Sequence, residues 1–265
     1  MLFRSTQGKV AEWMTAAGMT VRTDAATNLI GRYDGGTPDA PALLIGSHLD
    51  SVRDAGRYDG PLGVMLGIEC VAALADQKRR LPFAIEVIAF GDEEGSRFPA
   101  SMLTSRAVAG TLDADALEAV DGDGVSVRDA LAAYRAGMPA TAATAPPIAY
   151  LEAHIEQGPA LEADGLAVGV VTGIAAQRRY RIVFEGTAGH AGTTAMPLRR
   201  DALVAAAEAV LAVEAIGGGG PADLVATVGR IAVAPGRPGK RGHMPCASAL
   251  RLVEAFRPPC ASYIQ

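Results

Sequence analysis

Residues 42–50 read ALLIGSHLD, an apolar run that ends in a polar cluster. An apolar run without polar alternation predicts a strand that is buried on both faces, as in a parallel sheet. Similar strands are predicted at residues 83–90 and near 149–152, with helices between them. One of these helices begins at Pro61, because proline is favoured at the first helical position. Strands that alternate with helices predict an α/β fold with a mostly parallel sheet flanked by helices.

Polar side chains follow each of these predicted strands. His48 and Asp50 follow the first strand, Glu93 and Glu94 follow the second, and His154 follows the third. In open α/β sheets, binding sites form beyond the carboxyl ends of the strands. Nitrogen and oxygen donors without a thiolate suit zinc, manganese or cobalt in an open catalytic site. Of two adjacent glutamates, one can bind metal while the other acts as a base.

Each of these residues also has a structural interpretation. A histidine at a strand end is often only hydrogen-bonded, adjacent glutamates are often a solvated pair, and Asp59 before glycine is typical of a turn. Asp59 also lies in a loop from which it could bridge two ions. A metal site is indicated by the combination of these residues at successive strand ends.

The chain has 265 residues, 49% hydrophobic and 20% charged, with a formal net charge of −5. This balance is typical of a core-forming globular protein. The mild acidity gives no reason to expect nucleic acid or an anionic membrane as partner, and we find no apolar run of the roughly 18 residues that a membrane helix needs. Three cysteines without metal-binding spacing favour a reducing cytoplasm. Cys70 is expected in the core.

A second, smaller α+β domain is predicted over residues 177–265, after a first domain over residues 1–176. Residues 178–185 alternate in polarity, which is typical of a half-exposed antiparallel strand. A helix is predicted over residues 200–216, with Gly217–Gly220 as a flexible break.

Five segments of the sequence carry a resemblance to a known family. They begin at Gly46, Gly56, Phe90, His154 and Gly189 and read GSHLDSV, GRYDGPLGV, FGDEEGSRF, HIEQGP and GHAGT. They resemble the M20-type amidohydrolases that remove carbamoyl groups: allantoate amidohydrolase, N-carbamoyl-L-amino-acid hydrolase and β-ureidopropionase. The resemblance implies a metallo-aminopeptidase-like catalytic domain, a smaller lid or dimerisation domain and a small carbamoyl or ureido substrate.

The resemblance also implies two divalent metal ions, zinc or manganese, and a role for each strand-end residue. His48 and His154 would bind one ion and Glu94 the other, with Asp59 bridging them. Glu93 would be the general base that deprotonates the attacking water.

Four further residues receive roles from the same resemblance. Asp50 would orient His48, and His190 matches an oxyanion-stabilising residue that is supplied across a homodimer in relatives. Gln157 and Gln177 match amide side chains near the substrate. Three arginines are candidates for binding a substrate carboxylate or, equally, for structural ion pairs: Arg97, Arg106 and Arg199.

The sequence departs from the family near its C-terminal end. Residues 236–265 carry a net charge of +4, whereas the preceding residues carry −9. The family supplies a last metal-binding histidine from a later segment, for which this sequence offers no candidate. We therefore interpret the chain as a truncated form with weak or no activity, and residues 236–265 as an off-family tail. The hypothesis is a shift of reading frame near Gly236, which the DNA sequence would test.

Two alternative functions stay open from the sequence. The first is a peptidase of the same clan, such as a dipeptidase or aminoacylase, and the second is a non-catalytic remnant. Metal content separates the remnant from a working site, and substrate assays separate the two hydrolases. Within the carbamoyl branch, the segment from Asp50 to Asp59 favours allantoate as substrate.

Overall fold

The structure, a computed structural model, describes residues 2–136, 146–173, 176–221, 224–234 and 249–257. The chain forms two compact units, Met1–Gln157 and Gly158–Gln265, which are described separately below. The division into functional domains at residue 176 stays a prediction.

The first unit is built on a five-stranded sheet with the order β1-β2-β4-β3-β5. Its strands are β1 (Thr20–Thr23), β2 (Leu29–Tyr33), β3 (Ala42–His48), β4 (Ala84–Phe90) and β5 (Ala149–Leu151). Strand β3 pairs in parallel with β4 and with β5, whereas β2 pairs antiparallel with β1 and with β4. Only β2 therefore runs against the other strands, which confirms the predicted mostly parallel sheet.

Helices cover both faces of this sheet, as the unbroken apolar runs predicted. The helices are α1 (Leu2–Ala16), α2 (Pro61–Asp76), α3 (Leu103–Val108), α4 (Ala114–Leu117) and α5 (Val127–Arg135). On one face, α1 and α2 pack against alternate residues of β4, and the buried set includes Val10, Met14, Val64, Ile68, Val71, Ile85 and Val87. On the other face, Ile88 and Phe90 of β4 pack with Val108 of α3.

The one acidic residue of β4 is neutralised within the sheet. Glu86 is 5% exposed, and its carboxylate lies 3.2 Å from the Arg22 guanidinium and 3.3 Å from that of Arg32. These arginines stand on β1 and β2, so the pairs link three strands. Pairing of this kind is what allows a carboxylate to be buried in a central strand.

The expectation that Cys70 lies in the core is wrong. Cys70 is a free cysteine exposed on α2. The buried side of α2 runs through Val64, Ile68 and Val71. Cys70 lies outside that spacing. Because α2 is apolar on nearly all sides, its composition alone did not show which face of the helix is buried.

The second unit contains a three-stranded antiparallel sheet with the order β6-β8-β7. Its elements are α6 (Ala160–Ala163), β6 (Ala176–Glu185), α7 (Ala202–Gly219), β7 (Arg230–Ala234) and β8 (Ala249–Arg257). Ala206 of α7 is fully buried and packs with Phe184 of β6. Strand β8 falls within the predicted off-family tail, and its backbone pairs with both neighbours. Residues 235–248 and 258–265 of that region lie outside the described residues.

Helix α7 corrects two expectations from the sequence. It continues through Gly217–Gly219, where a flexible break was predicted, and so reaches 18 residues. Each glycine costs a helix about 1 kcal/mol, and the cooperative propagation of a long helix has carried α7 through these three. Over this length its mean hydropathy is 1.6, so one helix among the described residues is long and apolar enough to cross a membrane, by length and composition alone. Only 11% of that helix is buried.

Candidate metal centre

The parallel register of β3 and β5 brings two histidines together. Ile45 pairs with Leu151 at the end of the ladder, an offset of 106 residues. If the same offset is continued past the end of both strands, His48 lies opposite His154. Their Nε2 atoms lie 3.2 Å apart. The sequence predicted a histidine at each of two strand ends, and the register explains why they meet.

Main-chain carbonyl groups fix the tautomer of both imidazole rings. His48 Nδ1 lies 2.8 Å from the carbonyl oxygen of Asp50, and His154 Nδ1 lies 2.9 Å from that of Ile155. A carbonyl can only accept, so each Nδ1 carries a proton and each Nε2 is the ring nitrogen left to bind a metal ion. Asp59 Oδ1 lies 3.3 Å from His154 Nε2 and 3.9 Å from His48 Nε2.

The three converging atoms fit a divalent metal ion. Acceptor atoms this close repel one another unless a proton or a cation lies between them. Ligands about 2.0–2.1 Å from a tetrahedral zinc ion lie about 3.3 Å from each other. The separations of His154 from His48 and from Asp59 match this value, whereas Asp59 Oδ1 and His48 Nε2 lie 3.9 Å apart. The outward carbonyl bonds of both rings are the partners that metal-binding histidines normally have. His48, Asp59 and His154 can therefore hold one metal ion.

Asp50 connects this centre to the turn after β4. The expected bond to His48 Nδ1 comes from its main-chain carbonyl, because the carboxylate lies 3.9 Å away. The carboxylate instead accepts the main-chain N–H groups of Glu93 and Glu94, each at 3.1 Å. One residue thus fixes both the first histidine and the position of the two glutamates.

The two glutamates form a second group of potential ligands with His48. One ligand atom of each residue lies within 4.8 Å of the others. Burial raises the pKa of Glu93, and Asp50 and Asp59 add to this effect while the histidines oppose it. Burial also raises the pKa of Glu94, as does the neighbouring Glu93. Glu94 Oε1 is enclosed and has no hydrogen-bond partner among the described residues, so this group too is electrostatically incomplete without a cation.

Replacing Glu94 by Gln should stabilise the metal-free chain at neutral pH. Because the pKa of Glu94 is higher in the folded than in the unfolded chain, its ionised form opposes folding above that pKa. The penalty disappears below the unfolded value of about 4.3. Urea unfolding of metal-free protein should show a larger free energy of unfolding for Glu94→Gln than for the parent at pH 7, and nearly equal values near pH 4. Glu69→Gln, an exposed change on α2, is the control, and equal stability of Glu94→Gln and parent at pH 7 would contradict the prediction.

The other residues named from the sequence fall into two groups. Gln157 belongs to the first unit, and its amide donates to both carboxylate oxygens of Asp59, at 2.9 and 3.0 Å. His190 and Gln177 belong to the second unit. His190 Nδ1 accepts the main-chain N–H of Gly192 at 3.1 Å, and Gln177 lies on β6, where its side chain is outside the described residues.

The three candidate arginines have structural partners. Arg97 pairs with Asp121 at 3.0 Å and Arg106 with Asp113 at 2.6 Å. Arg199 Nε donates to the carbonyl of Thr194 at 3.0 Å. These contacts favour the structural interpretation of all three.

Sequence reasoning missed the side chains that support the centre. Ser47, Tyr150 and Glu152 are linked by hydrogen bonds next to the two histidines in sequence. Gly60 lies against the ring of His48. The available signal was proximity in sequence, since Ser47 precedes His48 and Glu152 lies two residues before His154.

Comparison with known proteins places these residues in a wider group. The family model described as peptidase family M20/M25/M40 matches residues 44–252. The N-carbamoyl-L-amino-acid amidohydrolase of Pseudomonas sp. (strain NS671) is 44% identical over 234 residues, which are 86% of this chain and 56% of that protein. The probable allantoate deiminase of Oryza sativa subsp. japonica is 44% identical over 217 residues, 78% of this chain and 44% of that protein.

Solved structures give the same grouping. The crystal structure of a hydantoinase/carbamoylase family amidase from Burkholderia ambifaria superposes with a TM-score of 0.79 at 39% identity. The match covers 96% of this chain and 61% of the amidase. The chain spans about half the length of the curated relatives that it matches.

Proposed function

The chain belongs to peptidase family M20/M25/M40, and from this we propose that it hydrolyses a C–N bond of a carbamoyl or ureido group in a small molecule. The observation that carries the proposal is the convergence of His48, Asp59 and His154 beside Glu93 and Glu94. Relatives at 44% identity that are named for N-carbamoyl amino acids and for allantoate support this substrate class.

The proposed ligands are distributed over two divalent ions, zinc or manganese. His48 and His154 would hold one ion and Glu94 the other, and Asp59 would be a ligand of both. When bound, such ions supply Lewis acidity that lowers the pKa of water and polarises the carbamoyl oxygen. The set of imidazole and carboxylate donors supports this choice of metals.

Glu93 is proposed as the group that moves the proton. It takes a proton from the water that adds to the carbamoyl carbon and delivers it to the nitrogen that leaves when the C–N bond breaks. The products are an amine and a carbamic acid, and the latter decomposes to ammonia and carbon dioxide. The raised pKa of Glu93 in the folded chain supports a role in which it binds and releases this proton.

His190, Gln157 and Gln177 complete the proposal. His190 stabilises the oxyanion, supplied by the second subunit of a homodimer, and the two glutamine amides contact the substrate. The hydrogen bonds from Gln157 to Asp59 support a place for its amide beside the metal ligands.

Ammonia release by the purified chain tests the proposed function. The chain is incubated with Zn²⁺ or Mn²⁺ and with allantoate, an N-carbamoyl-L-amino acid or a dipeptide as substrate. We expect metal-dependent hydrolysis of a carbamoyl compound, with allantoate preferred, and no cleavage of the dipeptide. Cleavage of the dipeptide alone would favour the peptidase alternative, and a chain that binds no metal would favour a non-catalytic remnant. The measured rate also tests the predicted weak or absent activity.

A further inference from the structure

Both carboxylate oxygens of Glu152 are bound by side chains of the first unit. Ser47 Oγ donates to Oε1 at 2.7 Å, and the Tyr150 hydroxyl donates to Oε2 at 2.7 Å. We propose that Glu152 is a positioning residue, which holds His154 beside His48 so that the pair can bind metal. The proposal rests on the metal site of the proposed function and adds a residue to which that function gives no role.

The main-chain ladder alone does not reach the two histidines. Strand β5 lies at the edge of the sheet and has only three residues, all exposed. Its ladder with β3 ends at Ile45 and Leu151, and His154 follows in a segment without regular structure. The Ser47–Glu152 hydrogen bond joins the two segments beyond the end of the ladder. It therefore keeps them aligned between the last main-chain pair and the histidines.

The β3 side of this link is enclosed by packing. Ser47 is fully buried and directly precedes His48. Helix α2 packs so closely on this region that a Cβ atom on Gly63 would lie 2.2 Å from the Ala153 carbonyl oxygen and 2.8 Å from Ser47 Cβ. The bond to Glu152 therefore ties the segment that bears His154 to a fully buried residue of β3.

Tyr150 holds the other carboxylate oxygen. Its hydroxyl also lies 3.2 Å from the carbonyl oxygen of Gly46, and its single proton is directed to the nearer acceptor, the Glu152 carboxyl oxygen at 2.7 Å. Burial, and secondly the hydrogen bond to Glu152, raise the pKa of Tyr150. The hydroxyl therefore remains a donor at any pH at which the protein is handled, and Glu152 is fixed from two sides.

Zinc affinity of the full chain tests this role. Competition with a chromophoric chelator measures the dissociation constant of Zn²⁺ for the parent, Glu152→Ala and Glu152→Gln. Outer partners of metal ligands typically change metal affinity by about 10- to 100-fold, which is the loss we expect for Glu152→Ala. Glu152→Gln keeps one acceptor oxygen and should lose less, and Glu69→Gln, exposed on α2, should bind as the parent does.

A second measurement tests the positioning role of Glu152 without any metal. The ¹⁵N NMR shifts of the His48 and His154 rings should change in metal-free Glu152→Ala and not in Glu69→Gln. Parent affinity together with parent imidazole shifts in Glu152→Ala would overturn the proposal. If the parent itself bound no zinc, the proposed function would fail. The imidazole shifts alone would then show whether Glu152 positions the two histidines. Should Glu152→Ala not fold, Ser47→Ala, which removes only one hydrogen bond, takes its place in both measurements.

Discussion

Replacing Glu93 by Gln is expected to lower ammonia release by about 10²- to 10⁴-fold, the range that general acid–base catalysis contributes, while zinc binding stays as in the parent. Glutamine has the same shape and keeps the main-chain N–H that donates to Asp50. What it loses is the ability to accept a proton from water and to pass it on. The measurement is metal-dependent ammonia release at saturating metal, with the zinc dissociation constant determined on the same samples.

Glu94→Gln is the matched comparison, because it makes the same chemical change one residue further along the turn. The main-chain N–H at position 94 still donates to Asp50 in this variant, so both variants preserve the local backbone. If Glu94 is a ligand and Glu93 a base, only Glu94→Gln should weaken zinc binding. Equal loss of zinc binding in the two variants would show that both glutamates are ligands and would refute the assigned base.

The strand ends could be predicted because two signals coincide there. An apolar run without alternation identifies a strand buried on both faces, and the polar residues that follow it mark the carboxyl end. His48, Glu93 and His154 were located in this way, and the structure brings their segments together. This part of the site depends on local pattern and on the rule that parallel strands present the same ends to one edge.

The contacts within the site could not be predicted, because they depend on register and on the close approach of segments. The sequence indicated that Asp50 would hold His48, but not that its carbonyl would do so while its carboxylate binds the turn at Glu93. The pairing of Ser47 with Glu152 requires the exact alignment of β3 and β5. No periodicity in a single chain segment contains that information.

Helix α7 shows the same limit in the opposite direction. Four successive glycines locally predict a break, yet three of them are helical in the structure. Packing of Ala206 against Phe184 anchors the helix, and cooperativity extends it beyond its best helix formers. Local propensity is a weak guide wherever packing on a sheet adds comparable free energy.

Replacing Gly60 by Ala should strongly weaken zinc binding while the rest of the fold survives. Gly60 precedes α2 with φ of 84° and ψ of −61°, a conformation that favours glycine. A Cβ atom there would lie 2.4 Å from both Cε1 and Nδ1 of His48 and 2.6 Å from its carbonyl oxygen. The ring must move or the loop that carries Asp59 must withdraw, and either change separates the proposed ligands. We expect zinc affinity to fall by at least about 100-fold, the upper end of the effects seen for groups behind metal ligands.

Gly110→Ala separates this effect from backbone strain. Gly110 also has a positive φ, 69°, but a Cβ atom there would meet nothing within 4 Å. Gly110→Ala should lose about 1–2 kcal/mol of unfolding free energy because of its left-handed backbone, as measured by urea titration. Gly60→Ala should lose at least as much, because its methyl group also collides with His48. Only Gly60→Ala should lose zinc, because only its methyl group collides with His48. Parent-like zinc affinity in Gly60→Ala would show that the methyl group can be accommodated without separating Asp59 from the histidines. The proposal that this loop fixes Asp59 as a ligand would then be wrong.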